Sequence, residues 1–231
     1  MIIYSPRNVA HRRIQCVKNL TICILFLNYQ IDQYLCLMDV KKVVTVYAEA
    51  TPNPASMKFV LNNFLLEEGS VEYTNKEQAS ECPLAVQLFS FSGISGVFIT
   101  TNFITISKST DIDWYELVPI FREFIKSYME SNQPVFIGAV SKVADQNVER
   151  TQSSSAIESK IIETLDEFVK PAVEQDGGAI HFKSFNDGIV TLILKGSCSG
   201  CPSSAITLKN GIENLLKQLI PEVKEVVAEA A

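Results

Sequence analysis

The sequence predicts an α/β (α+β) protein of two small domains, each a short sheet packed with helices, joined by a flexible linker. Three observations predict it. Segments of period-two alternation and segments of helical spacing follow one another in both halves of the chain. A polar, unperiodic stretch over 138–156 separates the halves. The composition, 47% hydrophobic and 20% charged over 231 residues, supplies apolar side chains for two cores. The boundaries read as 38–137 for the first domain, 138–156 for the linker and 157–231 for the second domain. Residues 1–37 stand apart by composition.

In the first domain, Val44, Val46 and Ala48 alternate with Val43, Thr45 and Tyr47, which is the pattern of a strand. Thr51-Pro-Asn-Pro is a turn, because two prolines fix φ and asparagine favours the corner. Met57 to Leu61 then returns as the second strand of a hairpin. The stretch from Glu67 to Glu81 is polar and unassigned. Pro83 to Phe91 reads as a short helix with proline in its first turn. Val97-Phe-Ile-Thr and Phe103-Ile-Thr-Ile read as two strands around Thr101-Asn102. A longer helix is expected from Asp113 to Tyr128, with Trp114, Leu117, Val118, Phe121, Phe124, Ile125 and Tyr128 on one stripe. Pro119 inside it predicts a kink or a later start.

In the second domain, Ser155-x-x-Glu158 is a capping-box pattern. Ile157, Ile161, Ile162, Leu165, Phe168 and Val169 follow at helical spacing, and Gly177 suits a left-handed cap. Ile180 and Phe182 begin a strand, Asn186-Asp-Gly188 makes a hairpin turn, and Ile189 to Lys195 is the returning strand. After the loop Gly196-Ser-Cys-Ser-Gly-Cys-Pro202, a helix from Ser203 to Ile220 is expected to face Ile206, Ile212, Leu215, Leu216 and Leu219 inward. Val223 to Val227 reads as a last short strand.

The net charge is −6, with no block of Lys and Arg that would track a phosphate backbone, which argues against nucleic acid as a partner. Residues 1–37 hold Arg7, Arg12, Arg13, Lys18 and Asp32, a net of +3, so the total of −6 leaves −9 for 38–231. Their apolar run, Leu20 to Leu27, is far too short to span a bilayer, and no membrane association is expected. The segment reads as a signal peptide, as an organelle transit segment, or as residues upstream of a working start at Met38. The six cysteines (Cys16, Cys23, Cys36, Cys82, Cys198 and Cys201) are unevenly spaced and do not resemble a secreted disulfide framework, so a reducing compartment is expected.

The chemistry concentrates at Cys198 and Cys201. Two thiols separated by two residues can converge on one centre where the loop turns tightly, and Gly196 and Gly200 give that freedom. The pair stands before a helix N-terminus, whose free N–H groups stabilise anions, and Lys195 adds a positive charge nearby. Both effects predict easier thiolate formation. Soft thiolates suit iron–sulfur clusters, Zn²⁺ or Cu(I). Three readings compete. A thiol–disulfide redox protein would place such a pair between a strand and a helix, but only thirty residues follow Cys201. A zinc site needs four ligands, and this domain offers two cysteines and His181, so zinc would have to bridge two chains. An iron–sulfur cluster meets the same shortage and the same solution, since two chains each giving Cys198 and Cys201 complete four thiolates. A cluster only half-held by each subunit is suited to release, so the expected role is a carrier and not an enzyme.

Glu174-Gln-Asp-Gly-Gly and Gly196-Ser-Cys-Ser-Gly-Cys-Pro-Ser-Ser-Ala-Ile-Thr-Leu-Lys-Asn-Gly-Ile-Glu resemble the NifU-like C-terminal domain. Residues 44–130 resemble the Nfu N-terminal domain, through Thr51-Pro-Asn-Pro-Ala-Ser-Met-Lys-Phe, Pro83-Leu-Ala, Gly93-Ile-Ser-Gly-Val-Phe-Ile and Phe103-Ile-Thr-Ile. The combination is that of Nfu-type iron–sulfur cluster scaffold or carrier proteins. The resemblance implies a [4Fe–4S] cluster, hence iron, bound between two subunits through Cys198 and Cys201, with a homodimer when loaded. It implies upstream cluster assembly proteins as donors and apo iron–sulfur proteins as recipients, with the N-terminal domain assisting partner contacts. It implies a bacterial cytoplasmic setting, or the mitochondrial matrix if residues 1–37 are a transit segment. Cys82 departs from the family pattern, standing where a small polar residue is expected, and reads as a buried core cysteine or as a third thiol.

Overall fold

The structure, a computed structural model, describes residues 43–109, 111–137, 156–199 and 202–230, with backbone alone for 202–205 and 230. The expectations placed on residues 1–37, on the linker up to its last residue, on the capping partner Ser155, and on Gly200 and Cys201 lie outside these residues.

The first half forms a five-stranded antiparallel sheet from β1 (Val46–Ala50), β2 (Ser56–Leu61), β3 (Ser70–Tyr73), β4 (Ile94–Thr100) and β5 (Phe103–Lys108), in the order β1-β2-β5-β4-β3. Register explains its core. Phe59 pairs with Ile104, which pairs with Ile99 on its other side, and Ile106 stands between Met57 and Val97. These side chains share one face because alternate residues of a strand point the same way. Two helices cover that face: α1 (Pro83–Leu88), with proline in its first turn, and α2 (Trp114–Glu130). Leu84, Leu88, Phe121 and Ile125 are fully buried against it. Phe121 meets Phe59 and Phe91 edge-on at 6.0 and 5.1 Å, a favoured aromatic geometry.

Asp113 caps α2, its carboxylate accepting from the Tyr115 N–H at 3.1 Å. Such a cap contributes about 1 kcal/mol. The later helix start expected from Pro119 does not occur, since α2 begins at Trp114. Proline removes the hydrogen bond to the residue four back, which is Tyr115. That residue is 88% exposed, where water can take the freed carbonyl.

The second half opens with α3 (Ala156–Thr164), continues through a π turn over Leu165–Val169, and ends with α4 (Lys170–Gln175). The π turn has a cause in the sequence. Ile161, Leu165, Val169 and Val173 are all buried and spaced by four. In a regular helix of 3.6 residues per turn, a four-residue spacing drifts by about 40° at each step. A wider π turn takes up that drift and keeps the four side chains on one side. It leaves Phe168 exposed, against the helical stripe expected of it.

β6 (Gly178–Asn186) and β7 (Ile189–Gly196) form the expected hairpin, with Asp187 and Gly188 both at positive φ in the turn. β8 (Glu225–Ala230) adds in parallel beside β7, and α5 (Pro202–Leu219) packs over the sheet through Ile212 and Leu216. Two residues of the expected α5 stripe face out instead, Ile206 at 61% and Leu219 at 41% exposure. At 100° per residue, Ile206 lies about 120° around the helix from Ile212, off the buried stripe. Leu219 is on the stripe but is the helix's last residue. Among the described residues no helix is long and apolar enough to cross a membrane.

β4 and β5 carry large apolar side chains on both faces. Phe98 and Phe103 lie on the side away from α1 and α2, and both are buried together with Ala179 of β6. The second half of the chain therefore covers the other face of the first sheet.

Candidate functional site

Cys198 follows the end of β7, four residues before α5 begins. Two glycines make the backbone turn possible. Gly177 and Gly196 have φ of +80° and +69°, a region that a side chain disfavours. A third acts by absence of bulk. A Cβ on Gly178 would stand 2.6 Å from the Sγ of Cys198 and 2.8 Å from the Lys195 carbonyl. The sequence marks Gly177 and Gly196 as backbone-shaping residues, and the structure adds the steric role of Gly178.

The loop is tied down on both sides of Cys198, at Gly196, Ser197 and Ser199. Ser197 donates its N–H to the Gly177 carbonyl at 3.2 Å and its hydroxyl to the Asp176 carbonyl at 2.5 Å. Its Oγ lies 3.9 Å from the Cys198 sulfur. Ser199 donates through its N–H to the Gly196 carbonyl at 3.2 Å. Cys198 itself packs into the core of the second half and is 8% exposed.

Residues of the first half complete the site. Glu72, on the edge strand β3, accepts from the Gly196 N–H at 3.1 Å and from the Ser199 hydroxyl at 3.2 Å, both on Oε1. Its Oε2 is buried and has no hydrogen-bond partner among the described residues. Asn53 donates from Nδ2 to the Ser197 carbonyl at 3.1 Å while its Oδ1 accepts from the Ala55 N–H. Thr105 donates to the Gly177 carbonyl at 2.7 Å, and Lys58 to the Gln175 carbonyl at 3.2 Å.

The electrostatics run against the ready thiolate expected at Cys198. Burial raises its thiol above the ordinary value, the Ser197 hydroxyl opposes this, and the charges of Asp176 and Glu72 add to the rise. Lys195 acts on Glu72 instead. Burial raises the Glu72 carboxyl, against the lowering influence of the Gly196 N–H, the Ser199 hydroxyl and Lys195. In this arrangement the Cys198 thiol is buried and its ionisation is disfavoured.

Of the other expected residues, Cys201 lies outside the described residues. His181, weighed as a zinc ligand, lies on β6 with its Nε2 3.2 Å from the Ser70 hydroxyl. Cys82 is fully buried in the core of the first half, whereas Cys198 belongs to the core of the second. Among the described residues no group of three or more His, Cys, Asp or Glu side chains is placed to hold a metal ion. The residue that sequence reasoning missed is Glu72. It sits in a stretch read as polar and unassigned, and its partners are 124 and 127 residues further along. Asn53 was legible as a turn residue but not as a donor to the cysteine loop.

Two family descriptions match: "Scaffold protein Nfu/NifU N terminal" over residues 46–132 and "NifU-like domain" over residues 161–227. The chain belongs to the Nfu family of iron–sulfur cluster scaffold proteins. It is 36% identical over 191 residues to "NifU-like protein 4, mitochondrial" of Arabidopsis thaliana, covering 82% of this chain and 67% of the relative. It is 38% identical over 182 residues to "NFU1 iron-sulfur cluster scaffold homolog, mitochondrial" of Homo sapiens, covering 78% of this chain and 70% of the relative. A solution structure of a NifU-like protein from Saccharomyces cerevisiae overlaps 44% of this chain and 91% of that one, at TM-score 0.39 and 19% identity, too distant to bear on function. The bacterial cytoplasmic setting expected from the sequence finds no support in these relatives, whose names are mitochondrial.

Proposed function

We propose that this chain carries an iron–sulfur cluster bound through Cys198 and Cys201 of two subunits, and passes it to apo proteins. The observation that carries the reading is the built position of Cys198. It stands in a glycine-shaped turn before α5, with the space its sulfur occupies kept clear by Gly178. Family membership supports iron–sulfur cluster assembly as the process. The donor chemistry fits the cargo, since thiolates are the usual ligands of iron–sulfur clusters.

Each chain offers two thiols in this motif, and a four-iron cluster takes four, so a [4Fe–4S] cluster is shared by a homodimer. Delivery is ligand exchange. A recipient thiol forms a sulfur–iron bond as the sulfur of Cys198 or Cys201 leaves, its proton passing to the released sulfur, with no change in oxidation state. The chain acts here as a scaffold between upstream assembly proteins and recipients, not as an enzyme. The mitochondrial matrix is the proposed compartment, on the names of the relatives.

Anaerobic reconstitution of the full chain with ferrous iron and sulfide tests this. The expected product is a coloured dimer with about two irons and two sulfides per chain, lost in Cys198→Ser and in Cys201→Ser. A colourless monomer that instead cycles a Cys198–Cys201 disulfide would overturn it in favour of thiol redox chemistry. A colourless dimer holding zinc would favour a zinc-bridged module.

A further inference from the structure

A sulfur that must meet a second subunit is buried here by its own chain. Cys198 is 8% exposed and packs in the core of its own half, and the loop residues on either side of it are held by donors and acceptors from the other half. Glu72 accepts from Gly196 and Ser199, on either side of the cysteine, and Asn53 donates to the Ser197 carbonyl between them. Thr105 binds the Gly177 carbonyl at the opposite wall of the loop. These contacts reach every described residue flanking Cys198.

The cover is also an apolar one. Phe98 and Phe103 occupy the face of the first sheet turned away from α1 and α2, and they are buried with Ala179 at the start of β6. Phe98 reaches the loop itself, since its Cδ1 lies 2.8 Å from where a Cβ on Gly196 would stand. A sheet whose central strands are apolar on both faces is built to be covered on both.

We propose that the N-terminal domain is an intramolecular cover for the cysteine loop, latched by the Glu72 carboxylate, and that the chain exchanges between this shielded form and an uncovered one in which Cys198 can meet cluster and partner. This rests on the reading of Cys198 as a cluster ligand. The arrangement is a two-state device in the ordinary sense: any agent that binds only the uncovered form shifts the population towards it. A cluster shared with a second chain is such an agent. Glu72 is a positioning residue in this scheme, acting on the cysteine through Gly196 and Ser199.

The latch can be read on the apo protein, without any cluster. The measurement is the rate at which a maleimide labels Cys198 in the full chain, followed by mass spectrometry of the Cys198 peptide, with Cys82 as the buried internal reference. Glu72→Ala is expected to speed labelling of Cys198 about tenfold or more while Cys82 stays slow. Glu72→Gln keeps an acceptor oxygen and is expected to stay near wild type. Thr105→Val removes a different tie and should move the rate in the same direction as Glu72→Ala, which keeps the test available if the first variant misfolds. Adding iron and sulfide to the wild type should then load more slowly than to Glu72→Ala, with the same final iron per chain. Labelling at the wild-type rate in both folded variants would overturn the latch. Failure of the cluster reading has a different signature: faster labelling in the variants, but no iron retained by any of them.

Discussion

Gly178 and Cys198 compete for one space, since the sulfur of Cys198 lies 2.6 Å from where a Cβ on Gly178 would be. Gly178 is not among the glycines at positive φ, so its requirement is steric and not conformational. Gly178→Ala therefore has no backbone strain to pay, yet must displace the sulfur or the Lys195 carbonyl. Overpacking of this kind costs about 1–3 kcal/mol. A drop of that size in urea-unfolding stability is expected, together with reduced iron retention after reconstitution. A variant as stable as wild type would show that the loop absorbs a methyl group freely.

Cys82 should be a bystander. Burial pushes its thiol up to about 11, and Ala85 and Leu84 N–H groups only partly oppose this. At pH 8 roughly one in a thousand such thiols is ionised, so the reactive form is scarce as well as enclosed. Iodoacetamide at pH 8 is expected to leave Cys82 unmodified in the folded chain and to modify it after denaturation. Cys82→Ser should leave iron per chain unchanged while lowering stability by about 1–3 kcal/mol, the cost of enclosing a hydroxyl without a partner. Iron content that falls with Cys82→Ser would revive the third-thiol reading.

Glu213 makes an acid-sensitive tie between α5 and β8. On α5, it accepts from Lys217 at 2.5 Å and from the Val226 N–H of β8 at 3.1 Å, and the Lys217 hydrogen bond is the largest cause lowering its pKa from 4.5. A group whose folded pKa lies below its unfolded one stabilises the fold above the unfolded value, and loses that contribution as pH falls through the folded value. The thermal midpoint of Glu213→Ala should therefore lie below wild type at pH 7. The two should converge as pH falls below 4.5. A gap that persists unchanged into acid would point to lost packing instead of lost charge.

How much of this was legible in the sequence depends on where each signal lay. The β1–β2 hairpin follows from Thr51-Pro-Asn-Pro, and the β6–β7 hairpin from Asn186-Asp-Gly188, because turn chemistry is local. The turn from Gly196 to Ser199 was legible for the same reason, its residues being contiguous. β3 was not, since Ser70-Val-Glu-Tyr is four residues long and set in a polar stretch. What makes it a strand is pairing with β4, from Ser70 opposite Thr100 to Tyr73 opposite Val97. Glu72 was doubly hidden, being on that strand and bonded to residues more than a hundred positions away. Phe98 and Phe103 did show a trace in advance, as apolar residues at both phases of their strands. A one-sided sheet would have no use for them.

Those two faces yield the last prediction. Phe121 and Phe98 are both fully enclosed phenylalanines on or against the same sheet, but on opposite sides of it. Phe121 packs within the first half alone, edge-on to Phe59 and Phe91. Phe121→Ala should cost about 3–5 kcal/mol of N-terminal stability. Phe98 is enclosed with Ala179 and close to Gly196, so its truncation should loosen the covering of the cysteine loop. Hydrogen exchange of the full chain separates the two effects. In Phe98→Ala the Gly196 and Ser197 amides, bonded to Glu72 and to the Gly177 carbonyl, are expected to exchange faster while the amides of β2 and β5 keep most of their protection. In Phe121→Ala the order reverses, with the β2 and β5 amides accelerated first. Equal acceleration at both places in both variants would mean that the two faces belong to one cooperative unit, and that the loop cannot be uncovered without unfolding the sheet.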